Sequence, residues 1–329
     1  MTNRPYLLLL FGVLFSTVLF SQNYKSSEPF AHTFSVVARD TATGEMAVGV
    51  QSHWFSVGTS VCWAKSGVGV VATQSFINPA FGPQGLKLME EGIDADSALM
   101  LMINADEGRG FRQLALLDNQ GKASSYTGDK CVQSAANIVG NNFSVQANMM
   151  LNDQIVPAME KAFIDNSNLP LAERVIEVLK AAQIAGGDIR GRQSAALLVV
   201  GPEKTAEWKD KKVDLRVDDN ENPIQELSRL LLVHRAYEHM NNGDLAVEHG
   251  NMELALKEYA AAEKMQPENL EMKYWKAVTL ANNGRVNESL PIFNYVFERD
   301  KNWLEMTKRL PASGLLIVTK SDFDRIMKR

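Results

Sequence analysis

The sequence predicts an α+β domain followed by an all-α segment, on three observations. Strand-like runs come at hairpin spacing in the N-terminal two thirds, and stretches with helical apolar spacing lie between them. The last third lacks strand alternation and repeats itself instead. A length of 329 residues fits about two domains at roughly 150 residues each.

Taken in order, the chain begins with Arg4 ahead of an apolar run, Tyr6 to Phe20 (YLLLLFGVLFSTVLF), which exits through small Ser21 into polar Gln22. That pattern describes a secretory signal peptide over residues 1–21. The run is shorter than the roughly 20 residues of a comfortable membrane span, although an uncleaved N-terminal anchor is the alternative. A secreted or periplasmic protein with no stable membrane span after cleavage is expected. Residues 22–30 (QNYKSSEPF) are polar and read as a flexible lead-in. From Thr33, TFSVVARD and EMAVGVQSH flank the turn Thr41-Ala-Thr-Gly44 as a hairpin. A strand over Gly67 to Ser75 (GVGVVATQS) ends in a Pro79, Gly82, Pro83, Gly85 cluster. Leu86 to Asn104 then places Leu86, Met89, Ile93, Leu99 and Met102 at helical spacing. A second hairpin, Arg112 to Leu117 and Lys122 to Thr127, turns at Asp118-Asn-Gln-Gly121. Helical spacing returns over Asp153 to Ala185, interrupted around Asn166 to Pro170, and Ser194 to Val200 (SAALLVV) reads as a buried strand. Helices set apart from a mostly antiparallel sheet are the α+β plan.

After a loop over Asp218 to Pro223 the pattern is nearly all helical. Gly250 and Gly284 stand 34 residues apart, and the same offset relates Ala246 to Leu280, Ala255 to Ser289, Tyr259 to Phe293 and Ala262 to Val296. This period, with small and aromatic residues in these slots and Pro267 closing the first unit, is the tetratricopeptide pattern, expected over 224–310 with a tail at 311–329. The second unit departs at Ser289 and at Lys301, which stands where the first has Pro267. Two units are too few for a free-standing solenoid, so the segment is expected to lean on the first domain.

Composition excludes several classes. Net charge of −5 argues against a nucleic-acid-binding stripe. Cys62 and Cys131 lie in no zinc-binding spacing, and in an exported chain they form either one disulfide or two free thiols. No P-loop, dinucleotide fingerprint or zinc-protease motif is present, and neither cofactor nor metal is expected.

Four segments end with glutamine beside a small or hydroxyl residue: Gln51-Ser52, Gln74-Ser75, Gln146-Ala147 and Gln193-Ser194. Singly, each is a structural hydrogen-bonding pair; together, at ends of strands that share a sheet pair, they suggest a convergent polar pocket. The segments TFSVVARD, GEMAVGVQSHWFSVG, GVGVVATQSFINPAFGPQGL, YTGDKC, FSVQANMML and GGDIRGRQSAALLVV also resemble a bacterial domain family of unknown function grouped with the N-terminal nucleophile (Ntn) hydrolases. The resemblance covers about Ala31 to Val217, and PIQELSRLLLVHRAYE with RLPASGLL is similar to a C-terminal extension of some members. It implies a four-layer αββα sandwich over 31–217. It also implies a Thr, Ser or Cys at the mature N-terminus that attacks an amide carbonyl, with its own α-amine as general base.

By that resemblance Thr33 is the positional candidate for the nucleophile, and Ser35 faces the same side two residues on. At least eleven residues, Gln22 to His32, precede Thr33 after signal cleavage, so a second cut after His32 is required. That stretch is polar and expected to be open to a protease. His53 is either an acid/base group or a structural ring beside Trp54 and Phe55. Arg190 or Arg192 either clamps a substrate carboxylate or pairs with Asp188 to staple a loop. Gln74, Asn148 and Gln193 are candidates to orient a polar ligand or an oxyanion. The expected function is an exported hydrolase of an amide bond in a small molecule or peptide. The alternative is a catalytically silent ligand-binding domain whose helical repeats recruit a protein partner.

Overall fold

The structure, a computed structural model, describes residues 30–328. The expected signal peptide and the expected lead-in, apart from Phe30, lie outside the described residues. In chain order the elements are β1 (Phe30–Ala31), β2 (Thr33–Arg39), β3 (Met46–Ser52), β4 (Cys62–Lys65), β5 (Gly69–Phe76), α1 (Phe81–Glu90), α2 (Ala95–Ala105), β6 (Arg112–Asp118), β7 (Ala123–Thr127), β8 (Ala136–Gly140), β9 (Phe143–Ala147), α3 (Ile155–Asp165), α4 (Leu171–Ile184), β10 (Ser194–Val200) and β11 (Lys211–Val217). Helices alone follow: α5 (Pro223–Glu248), α6 (Met252–Met265), α7 (Leu270–Asn282), α8 (Val286–Arg299), α9 (Lys301–Arg309) and α10 (Lys320–Met327). The protein is thus mixed α/β, with antiparallel sheets, ten α-helices among the described residues and a helical C-terminal part.

One sheet runs β1-β5-β6-β7, with β4 also paired to β5; the other runs β11-β10-β3-β2-β9-β8. A strand covered on both faces reads as continuous apolar sequence rather than alternation, and β10 does so for that reason. Its Ala195, Leu197 and Val199 face a core shared with α3 and α4, while Ala196, Leu198 and Val200 face the other sheet. Strand β2 divides likewise, with Phe34, Val36 and Ala38 on the helix side and Val37 between the sheets. Helix α4 comes close because β3 carries Gly49 there; a Cβ at that position would lie 2.3 Å from Val175 Cγ1. Helices α1 and α2 cover the outer face of the first sheet, where Phe81, Leu99 and Met102 meet Val71, Leu114 and Leu116.

The stretch from Leu86 to Asn104 is two helices, not one. Gly92 adopts φ +90°, which stops α1, and Asp94 restarts the chain as the N-cap of α2 by accepting from Asp96 N and Ser97 N. Strands β8 and β11 carry no strong sequence signal because each is buried on one side at most and forms an edge of its sheet, and β4 is only four residues long.

In the C-terminal part the 34-residue offset reappears in the helix boundaries, Met252–Met265 against Val286–Arg299. Tyr259 and Phe293 are both in the helical cores, as are Ala262 and Val296, and Gly250 and Gly284 both turn the chain with positive φ. Asp300 caps α9 where the first unit has its proline loop. In the expected tail, Ile326 of α10 joins Phe293 and Phe297 in one core. Among the described residues no helix is long and apolar enough to cross a membrane.

Helix α5 couples the two parts. Ile224, Leu227 and Leu231 belong to the core beneath α4, whereas Ala236, Met240 and Ala246 pack with α6. Arg235 adds an ion pair to Glu173 of α4 at 2.9 Å. Limited proteolysis is therefore expected to release no stable helical 225–329 fragment; recovery of one with a cooperative melt would contradict the coupling.

Candidate functional site

The space between the sheets is apolar at one end and polar at the other. Residues two apart on a strand share a face. Thr33 and Ser35 of β2 therefore point the same way as Val37, and Gln74 and Gln113 the same way as Ala72 and Ala115, into the space between the sheets. These polar side chains are fully buried and must satisfy one another.

Gln113 is the hub. Its Oε1 accepts from Gln74 Nε2 at 2.6 Å and from Asn148 Nδ2 at 2.9 Å, while its Nε2 donates to Thr127 Oγ1 and to Ala147 O. Gln74 Nε2 also reaches Thr33 O at 3.3 Å, and Asn148 N donates to the same carbonyl at 3.1 Å. Ser35 is held separately, accepting from Gln146 Nε2 at 2.6 Å. Two residues without glycine's freedom adopt positive φ beside this network: Ser75 (φ 71°), next to Gln74, and Met149 (φ 58°), next to Asn148. Backbone strain of this kind persists where the surroundings over-determine it and clusters at functional sites.

The peptide between His32 and Thr33 sits at the centre. The His32 carbonyl accepts from Ser52 Oγ at 2.5 Å and from Arg190 Nη2 at 2.9 Å. Arg190 is aimed by Asp188, whose buried carboxylate takes its Nε at 3.0 Å and its Nη2 at 2.7 Å, along with the His53 backbone N–H. The His32 ring donates from Nδ1 to Asn148 Oδ1 at 2.6 Å, which fixes the tautomer. Both His32 and Thr33 are fully buried, so the bond joining them is out of reach of a protease acting on the folded chain, contrary to the expectation from its polar surroundings in sequence.

Burial lowers the His32 pKa from 6.5 to about 4; the hydrogen bond to Asn148 opposes this, Arg190 adds to it and Asp188 opposes it. The unfolded chain takes up this proton first, so the neutral ring's contribution is complete above pH 6.5 and is lost as pH falls through 4. Melting temperature measured between pH 7 and 4 should fall more steeply in the chain that keeps the His32–Thr33 bond than in its His32→Asn variant. Parallel curves would contradict this.

The structure thus brings Thr33, Gln74, Asn148 and Arg190 together, with Ser35 one strand position away. The remaining candidates lie elsewhere. Arg192 Nη1 donates to Asn222 Oδ1 and lines a separate groove of about 280 Å³ between the end of α4 and the start of α5. Gln193 Nε2 donates to Asp219 at the surface, and the His53 side chain is exposed beside Gly191. The sequence does not single out Gln113, and it gives Ser52 only as part of a strand-end pair and His32 only as the residue before the expected cut. A lone amide inside the apolar run RQLALL was the available signal for Gln113. Cys62 and Cys131 are both free, and burial pushes both thiols up; Cys131 Sγ donates to Arg112 O. Among the described residues no cluster of three or more His, Cys, Asp or Glu is placed to hold a metal ion.

Residues 33–227 match a family of unknown function (DUF1028). The crystal structure of protein SPO2555 from Silicibacter pomeroyi, assigned to DUF1028, is similar at 29% identity and a TM-score of 0.55, covering 61% of this chain and 84% of that one. Anbu (ancestral β-subunit) from Yersinia bercovieri aligns at 11% identity over 59% of this chain and 91% of its own, and its TM-score of 0.30 supports no argument. No curated protein matches.

Proposed function

The chain belongs to the family of unknown function DUF1028, and on that premise we propose that it is an exported hydrolase of the Ntn type, with Thr33 as its nucleophile. Two sheets face to face, with helices on both outer faces, are the arrangement a four-layer αββα sandwich over 31–217 requires. In this reading the helices at 224–310 are a tetratricopeptide-like module that offers a surface to a protein partner.

The observation that carries the reading is the pair of donors on the His32 carbonyl. Ser52 Oγ and Arg190 Nη2 would stabilise negative charge on that oxygen as Thr33 Oγ1 attacks the adjacent carbon. The attack moves the His32 acyl group from the Thr33 nitrogen to its oxygen, and the hydroxyl proton passes to the nitrogen. Water then hydrolyses the ester, which frees the α-amine that later turnovers need as base. Burial of the bond favours this internal route over a second protease. In later turnovers the same hydroxyl attacks a substrate amide, the free α-amine takes its proton and delivers it to the leaving nitrogen, and water completes hydrolysis.

N-terminal sequencing of the mature protein from its native host tests the reading. A chain beginning at Thr33 is the expected result. A chain beginning near Gln22 with no Thr33 form would leave the alternative, a silent ligand-binding domain, in which the buried and intact His32–Thr33 bond is simply structural.

A further inference from the structure

The chain before Thr33 is built into the site as an extended peptide. Strand β1 pairs antiparallel with β5, Phe30 opposite Phe76 and Ala31 opposite Ser75. On that same edge of β5, strand β4 pairs from Gly69 to Ala72, so at Ser75–Phe76 the edge is occupied by β1. At His32 the chain leaves the first sheet, and at Thr33 it enters the second. The His32 ring fills a chamber in which Asn148 Oδ1 accepts from it and the Phe76 ring meets it edge-on at 5.7 Å. Phe111 in turn packs against Phe76 at 5.4 Å. The His32 carbonyl then meets Ser52 and Arg190. Main-chain pairing along an open edge, a pocket for one side chain and a clamp on the carbonyl are the parts of a site that takes a peptide by strand addition.

We infer that the slot held by Phe30–His32 is the acyl-side substrate site. Its substrate would be an extended peptide that adds a strand beside Ser75–Phe76 and places a hydrogen-bonding ring against Asn148 and Phe76, just before the bond to be cut. The inference rests on the hydrolase reading for the cutting, but the binding it describes does not need Thr33. Until residues 30–32 leave, the slot is closed by the protein's own chain, so cleavage after His32 both frees the amine and opens the site. The strained φ of Ser75 lies in the strand that forms the slot's wall, at the residue paired with Ala31.

The probe is a fluorescent peptide with the chain's own sequence, acetyl-Ser-Ser-Glu-Pro-Phe-Ala-His, followed by anisotropy with the full chain. In the Thr33→Ala chain, which keeps the His32–Thr33 bond, Ala31→Pro with His32→Gly loosens the resident segment; His32→Gly alone serves if that combination does not fold. The loosened chain is expected to bind the probe at least tenfold more tightly than the Thr33→Ala chain alone. Adding Asn148→Ala, or ending the peptide in Ala, should each cost about tenfold. Every chain in this comparison lacks the Thr33 hydroxyl, so a failure of the nucleophile assignment is read separately from a failure of the peptide site. A folded, loosened chain that does not bind the probe, or that binds the His-ended and Ala-ended peptides equally, overturns the inference.

Discussion

Thr33→Ala is expected to abolish turnover of amide substrates, by at least about 10³-fold, while leaving the fold intact. Removing a nucleophile removes the covalent route altogether, so the loss far exceeds what altered binding would give. The same variant should keep the His32–Thr33 bond, because the hydroxyl that attacks the His32 carbonyl is gone. The mature variant should therefore begin near Gln22, whereas the proposed reading has the native protein begin at Thr33. Thr33 is fully buried at the start of β2, with its carbonyl held by Asn148 N, and that backbone bond survives the substitution. Only a small stability loss should accompany it. Ser35→Ala separates the two hydroxyls. Ser35 is bonded to Gln146, so its loss is expected to lower stability without changing the N-terminus. An active Thr33→Ala protein with Gln22 at its start would rule out Thr33 as nucleophile.

Gln113→Met should be among the most destabilising single changes in the α/β part, costing about 3–4 kcal/mol. Methionine nearly matches the shape but offers no strong acceptor to Gln74 Nε2 and Asn148 Nδ2 and no donor to Thr127 Oγ1 and Ala147 O. Each buried group left without a good partner costs about 1–3 kcal/mol, softened here because Gln74 and Asn148 keep weaker contacts to Thr33 O at 3.3 and 3.5 Å. At roughly 2–4 °C per kcal/mol for a domain of this size, the melting temperature should drop by about 6–16 °C. Gln193→Met is the control. Gln193 is at the surface with a side-chain bond to Asp219, and a change within about 0.5 kcal/mol is expected. Equal effects at the two glutamines would mean that the inter-sheet network contributes no more than a surface contact.

Residues with local signals were legible in sequence. The hairpins β2–β3 and β6–β7, helices α3 and α4 and the buried strand β10 all follow from alternation, apolar spacing or turn chemistry within a few residues. The repeat was legible because helix pairs of equal length need the same residue type at the same step, and Tyr259 and Phe293 meet that need 34 residues apart. The edge strands β8 and β11 were not, because one-sided burial leaves their composition close to that of a loop.

For the site, the sequence marked Gln74 and Asn148 near strand ends, with Thr33 added through the family resemblance and Arg190 offered beside Arg192. It determined nothing about which of them meet. Arg190 and Arg192 are two residues apart and equivalent as text, yet the turn at Asp188 aims Arg190 at the His32 carbonyl while Arg192 reaches Asn222 beside another groove. Gln113 and Asn148 are brought together by the stacking of two sheets, and His32 matters because the chain crosses between those sheets at that residue. Strand identity is written in side-chain periodicity along the chain. A convergent site is fixed by register between strands and by contact across the sheets, which no local pattern encodes.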